Sequence, residues 1–463
     1  MTLLSFLTYL PAMLVGSLVI HLVWPNRRPM ALLFKMSLGI GLGLGMGSML
    51  YFAILLVAPN RVNMVLLQVL LAGALAAVIF MRDRGPGWNI FRVPAFSALQ
   101  WALLAAAGIA LIFLGLTFVS LSVSRPQGAF DAWSIWDRAA RFIYRDPENW
   151  QATLSPELYW GSHPDYPLLV PLNVAWAWQA LGTETQRVPM MQGGLLTLAS
   201  IGVMFASVGL TRTIGQAGLA ALVLMGTPIL VLMGAAMIAD VPLTFFILAS
   251  SVLVFIALVE QSPGLLASAG FMAGLAGWTK NEGLLFIVIS PVALVLFQRK
   301  SSWRFILYYA AGLVIPLALI LYFKSIAASS DLFADGGSGI LHKIMDPSRY
   351  WIILKTFGEK GLSFGGWPFS ILVGLSLYAL IMRGETPPGS RQAGLTVGGI
   401  ILLQLLGYGA IYVLTPHDLE WHLVTSLTRL ILHIFPTIVF LVFSMIITPE
   451  QVFQGALPFK ESR

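Results

Sequence analysis

Hydrophobic residues run through this chain in long unbroken stretches, parted by short polar segments that carry most of the Arg and Lys. An apolar run of about 17 to 25 residues is long enough to cross the hydrocarbon core as a helix. Such runs lie near 2–24, 31–58, 63–81, 96–120, 188–210, 217–238, 241–259, 264–279, 283–298, 304–323, 367–382, 393–414 and 429–448. The pattern predicts an all-α polytopic membrane protein with about 13 transmembrane helices. Two longer polar stretches, 121–166 and 324–366, interrupt the series. Gly39, Gly41, Gly43, Gly45 and Gly47 form small-x-x-x-small pairs inside one run, which predicts close helix packing there. The first run has no Lys or Arg before it and no small-residue cleavage signal after it, so it reads as a retained span.

The segment 167–181 decides the topology. It is apolar but, at about 15 residues, short for a full crossing. If it enters the membrane and returns, the short loops with Arg27, Arg28, Arg82, Arg84, Arg92, Arg212, Arg299, Lys300, Arg304, Arg383 and Arg391 share one face. Lys460 and Arg463 join them. The positive-inside rule makes that face cytoplasmic. On the other face, short loops hold Arg61, Arg187, Lys280 and Arg429, and the stretch 324–366 adds Lys324, Lys343, Arg349, Lys355 and Lys360. The expected organisation is N-terminal spans over 1–120 and a first outer loop with interfacial helices over 121–187. Core spans occupy 188–323, an outer loop suited to act as a lid 324–366, and further spans with a short cytoplasmic tail 367–463.

Composition agrees with a chain that faces lipid. Of 463 residues, 58% are hydrophobic and 10% charged, against roughly 25% charged in soluble domains. Mean hydropathy is +0.84. The net charge of +7 fits orientation by cytoplasmic Lys and Arg, and no basic-aromatic patch suggests nucleic acid. With no cysteine, disulfides, thiolate metal sites and cysteine nucleophiles are excluded.

The re-entrant topology sends many ionisable residues from five segments to one outer surface. Charges at a bilayer boundary are costly unless paired or solvated, so their convergence suggests a site, although loops also collect charge for no functional reason. Asp131 precedes Trp133, Trp136, Ala140 and Ile143, which recur at helical spacing opposite Asp137, Arg138, Arg141 and Arg145. That is an amphipathic interfacial helix, with Asp137 and Arg141 spaced to pair across one turn. Asp131 itself reads either as the N-cap or as a general base held at the water–lipid boundary.

His163, Pro164, Asp165, Tyr166 and Pro167 form either a plain proline turn or two ligands of an incomplete metal site. Asp240, before Pro242, suits a helix-capping acid or the partner of Asp131 in a carboxylate pair. Lys280 and Glu282 form a polar island between two spans; they can neutralise each other, or Lys280 can hold a phosphate. His417, Asp418, Glu420 and His422 precede Arg429, which is expected to open the last span. Zinc binding there is conceivable from residue type alone.

Taken in order, these residues resemble the membrane-embedded glycosyltransferases of the GT-C superfamily, in the branch of protein mannosyltransferases and aminoarabinose transferases that use polyprenyl-phosphate sugars. The resemblance rests on Asp131 in the first outer loop, the element from His163 to Pro167, the run Ala239, Asp240, Val241, Pro242 and Leu243, and the stretch from Gly277 to Gly283. It covers about 120–300, and the last quarter through 415–436. Many members carry two adjacent acids in the first loop, whereas Ala132 follows Asp131 here. More spans precede the loop than the single one usual in the family.

The resemblance implies a GT-C-like fold with outer-face juxtamembrane helices. It further implies sugar transfer from a polyprenyl-phosphate donor to an acceptor on the non-cytoplasmic side of what would be a bacterial inner membrane. Asp131 would be the catalytic acid. His163, Asp165, Asp240, Lys280, Glu282, His422 and Arg429 would bind substrate, with a divalent cation as an optional cofactor between carboxylates. A transporter or flippase, or a non-catalytic subunit of envelope polysaccharide assembly, are the alternatives.

Overall fold

The computed structural model describes residues 2–59, 61–83, 96–158, 161–298, 302–328, 336–382, 387 and 389–456. Arg84, Arg92, Arg299, Lys300, Arg383, Lys460 and Arg463 lie outside the described residues. Every regular element among the described residues is helical. The chain opens with α1 (Thr2–Val23), α2 (Pro29–Val57), α3 (Met64–Arg82) and α4 (Ala98–Ser124). A π-helical turn, Ala132–Trp136, runs into α5 (Asp137–Arg145), and short 3-10 turns lead on to α6 (Leu169–Leu181). Next come α7 (Arg187–Thr211), α8 (Ile214–Met225), α9 (Pro228–Ala235), α10 (Asp240–Glu260), α11 (Pro263–Thr279), α12 (Asn281–Phe297) and α13 (Ser302–Ile326). The last third holds α14 (Gly336–Met345), α15 (Pro347–Leu362), α16 (Ile371–Met382), α17 (Arg391–Leu414), α18 (Leu419–Met445) and α19 (Pro449–Ala456).

Nine helices among the described residues are long and apolar enough to cross a membrane. Counting the bent pairs raises this to eleven: α8 with α9 at 60°, and Pro347–Gly366 with α16 at 88°. Helix α10 is apolar almost throughout, and all of it from Asp240 to Leu258 is buried. That is the behaviour of a helix hydrophobic all round, and it forms the central post of the bundle. The equally apolar α4 is peripheral and buries only Leu114 and Ser122. The glycines of α2 do permit close packing. A Cβ on Gly43 would sit 1.8 Å from the Ala12 carbonyl oxygen, and one on Gly16 would sit 2.2 Å from that of Gly39.

The two ends of the bundle can be told apart by hydrogen bonds. At one end, Glu450 accepts from the Gln100 amide and the Thr213 hydroxyl, which joins the start of α4 to the start of α8. Arg212 donates to the Ile446 carbonyl nearby. At the other end, Arg187 donates to Thr2 at 3.0 Å, and the Ala129 amide donates to the Ala236 carbonyl at 3.0 Å. Residues 125–186 therefore leave and rejoin the bundle at the same end.

Within that segment α6 has 13 residues, roughly 20 Å of helix. Its residues Leu169 to Trp178 are buried. Polar groups at that depth need internal partners, and the Asn173 carbonyl and side chain receive Tyr9 and Trp176 at 3.2 and 3.0 Å. The described Arg27, Arg28, Arg82, Arg212, Arg304 and Arg391 belong to the Glu450 end. The stretch 324–366, expected as an outer loop, is largely helical: Lys324 lies in the last turn of α13, and Gly336 opens α14.

Candidate functional site

Opposite the Glu450 end, the π-helical turn, α10, the junction of α11 with α12, α12 itself and α18 bring charged side chains to one cluster. The π-helical turn and α18 meet where Arg429 Nη1 donates to Asp131 Oδ2 at 2.6 Å. The same guanidinium nitrogen lies 3.8 Å from Asp240 Oδ2. Asp240 Oδ1 takes His433 Nε2 at 3.0 Å and Lys280 Nζ at 3.3 Å. Lys280 also pairs with Glu282 at 2.8 Å. Behind His433, its Nδ1 lies 3.5 Å from the Tyr408 hydroxyl.

Local structure explains each placement. Arg429 and His433 are four apart on α18 and so share a face. Asp240 is the first residue of α10, and its carboxylate takes cations from neighbouring elements. Lys280 is extended (φ −159°, ψ 156°) between α11 and α12, which turns its side chain into the cluster. Gly283 lets the two helices meet there, because a Cβ on it would lie 2.0 Å from the Ala276 carbonyl oxygen.

Asp240 is a hub. Its side chain is 1% exposed, against 19% for Glu282 and 32% for Asp131. A buried carboxylate is tolerated only when paired and hydrogen-bonded, and Asp240 has three such partners. Asp131 and Asp240, for which a carboxylate pair is one of two readings, face one shared cation, Arg429. The N-cap reading of Asp131 fails, since the residue has helical dihedrals and no capping bond.

A second group adjoins the first through Asn281. Asn281 donates to Asp165 Oδ2 at 2.6 Å, while Lys324 Nζ donates to Asn281 Oδ1 at 2.7 Å and to the Asp165 carbonyl at 2.6 Å. Asp165 Oδ1 is buried without a hydrogen bond, although His163 Nδ1 lies 3.8 Å away. The His163 ring stacks on Tyr166, centroids 4.3 Å apart. His422 turns instead toward Thr415, 2.8 Å away, and packs on Tyr412.

Several expectations need correction. Helix α18 starts at Leu419, ten residues before the expected span, because Asp418 caps it by accepting from the Trp421 amide at 2.8 Å. Arg429 is therefore inside the helix, and the acids and histidines before it belong to its cap and first turn. The stripe expected along α5 is also shifted. The Asp137 amide bonds back five residues to Ala132, and this π-helical turn changes the register. Trp133 is left exposed and Asp137 is fully buried.

Arg141 pairs with Glu184 at 3.5 Å rather than directly with Asp137. In the amide orientation that satisfies both neighbours, Gln186 bridges the two, donating to Asp137 Oδ2 and accepting from Arg141 Nη2, both at 2.8 Å. Burial pushes the Asp137 carboxyl up to about 7, against the opposing pull of Arg141 and Gln186. Glu184, doubly bonded by Arg145 at 2.6 and 2.9 Å, is held below the usual carboxylate range.

Among the described residues, no group of three or more His, Asp or Glu side chains is arranged to hold a metal ion. The gap between Asp131 and Asp240 already carries a guanidinium, so this donor set does not fit a divalent cation. No family model, curated protein or solved structure matches the chain. The chemistry available is thus that of a part-exposed carboxylate beside two cations, which a buried carboxylate and imidazole hold in position.

Proposed function

We propose that the chain is an integral membrane glycosyltransferase of GT-C type, moving a sugar from a polyprenyl-phosphate donor to an acceptor on the non-cytoplasmic face. The observation that carries this reading is the Asp131–Arg429–Asp240–Lys280 constellation at one end of an apolar bundle. The finer topology belongs to the same proposal: about 13 spans, a re-entrant α6, juxtamembrane helices, and a Glu450 end facing the cytoplasm of a bacterial inner membrane.

In the reaction, the acceptor hydroxyl oxygen bonds to the anomeric carbon as the bond from that carbon to the phosphate oxygen breaks. The hydroxyl proton passes to Asp131, and the lipid phosphate leaves with the bonding electron pair. General base catalysis of this kind contributes about 10²–10⁴-fold. Lys280 and Arg429 stabilise the charge that grows on the departing phosphate. Asp240 keeps both cations oriented and takes no proton itself.

The 2.6 Å bond to Arg429 masks Asp131 in the resting protein. A donor phosphate competes for that guanidinium and frees the carboxylate, so the base is released only when donor is present. Asp165 Oδ1, buried and without a hydrogen bond, is available to orient the acceptor together with His163. Glu282 gives Lys280 a second carboxylate partner beside Asp240, and His422 supports the outer start of α18.

One feature favours a transporter instead: the 60° break between α8 and α9, since transporters build sites on broken helices. The charges lie at the end of the bundle rather than at its midplane, which favours the enzyme. The test is to reconstitute purified protein in vesicles with polyprenyl-phosphate hexoses and pentoses and assay cleavage of the sugar–phosphate bond. Donor consumption that requires Asp131 supports the enzyme. Lipid translocation with every sugar–phosphate bond intact overturns it.

A further inference from the structure

Away from the charged cluster, a cavity of about 740 Å³ opens between α4, α7 and the start of α1. Its walls are apolar, with Leu114, Phe118 and Leu198 among them. Along α4 it extends from Leu114 to Val123, roughly 14 Å of helix, from the Asp131 end of the bundle toward its middle. Two facts make it more than a packing gap. The Ser122 hydroxyl lines it, buried and without a hydrogen bond. At its outer mouth stands Arg187, whose side chain bonds the neutral Thr2 hydroxyl. No carboxylate pairs with Arg187 among the described residues. It also begins the 25-residue α7, where the helix dipole adds positive potential.

We infer that this groove is a binding site for an anionic phospholipid, with one acyl chain between α4 and α7 and the phosphate at Arg187 and Gln186. The apolar length suits a chain, and the mouth offers a cation and an amide to a headgroup. Gln186 gives the site a route to the cluster, because the same amide bridges Asp137 and Arg141 on the helix that follows Asp131. A headgroup on Gln186 therefore bears on the placement of that helix. The inference stands on the groove alone and does not depend on sugar transfer.

Gly115 supplies the test. It lines the groove, and a Cβ there would meet nothing within 4 Å, so Gly115→Leu fills the space without a clash. Gly374 on α16 is equally open, and Gly374→Leu serves as the control. Purified protein in detergent is titrated with phosphatidylglycerol and with phosphatidylcholine, and bound lipid is counted by native mass spectrometry. Wild type and Gly374→Leu should hold one phosphatidylglycerol in preference to phosphatidylcholine. Arg187→Gln should lose that preference, with phosphatidylglycerol binding weakened roughly fivefold, and Gly115→Leu should lose the bound lipid. Wild-type phosphatidylglycerol binding by Gly115→Leu, or an unchanged preference in Arg187→Gln, overturns the proposal. Displacement of phosphatidylglycerol by lower concentrations of polyprenyl phosphate also overturns it and assigns the groove to that carrier.

Discussion

His433 and Asp240, 193 positions apart in the sequence, meet at 3.0 Å, both buried. Removing one member of a buried charged network leaves the others unpaired, which costs about 3–5 kcal/mol. Asp240→Ala strands Lys280 at the same oxygen and is expected to lower stability by that order. His433→Gln retains a hydrogen-bonding group and should cost less, about 1–3 kcal/mol. Unfolding in detergent measures both. If Asp240→Ala unfolds like wild type, Asp240 is not the hub.

Burial of Asp137 yields a prediction about pH. Burial pushes its carboxyl up to about 7 in the folded chain, against about 3.9 when unfolded. The folded state therefore binds more protons between those values, and stability falls as pH rises through this window. The contribution is fully present below about 4 and lost above about 7. Asp137→Asn cannot ionise, so its melting temperature relative to wild type should rise from pH 5 to pH 8. Parallel curves for the two proteins would remove the buried carboxyl from the account.

The topology can be tested with single cysteines, since the chain has none. Gln127 and Glu420 belong to the charged end and are exposed; Gln392 belongs to the opposite end and is also exposed. An impermeant thiol reagent outside the cell should label cysteine at 127 and 420 and spare 392. Labelling of 127 and 392 from the same side would make α6 a complete crossing.

The bundle was legible because apolar runs of membrane length leave little choice but helix, and glycine spacing in α2 marked its close contacts. The charged end was legible through its acids: Asp240 stands alone in an apolar run, and Asp131 and Asp165 lie in the one long polar stretch before α6. His433 escaped notice because it lies within an apolar run, though its spacing from Arg429 by one helical turn was there to read. Lys324 was counted with the loop after α13, and only tertiary packing brings it to Asn281. The π-helical turn could not be read at all: a single bond reaching back five residues shifts the faces of α5, and no pattern of residue types announces it.

In the proposed reaction the base is Asp131. Asn at this position keeps the size and can still accept a hydrogen bond from Arg429, so Asp131→Asn should fold and melt close to wild type. It cannot take a proton from an acceptor hydroxyl at neutral pH. Loss of a base worth 10²-fold or more raises the barrier by at least roughly 2.7 kcal/mol, so the initial rate of sugar transfer should fall by that factor at saturating donor. Lys280→Met addresses the phosphate instead. If its main effect is on donor binding, raising donor should recover much of the rate; if it acts on the leaving group, the loss should persist at saturation. The two variants thus separate base from phosphate partner in one donor titration. Transfer at the wild-type rate by well-folded Asp131→Asn would exclude Asp131 as the base. Asp240, held by three partners and closed to solvent, is in no position to replace it.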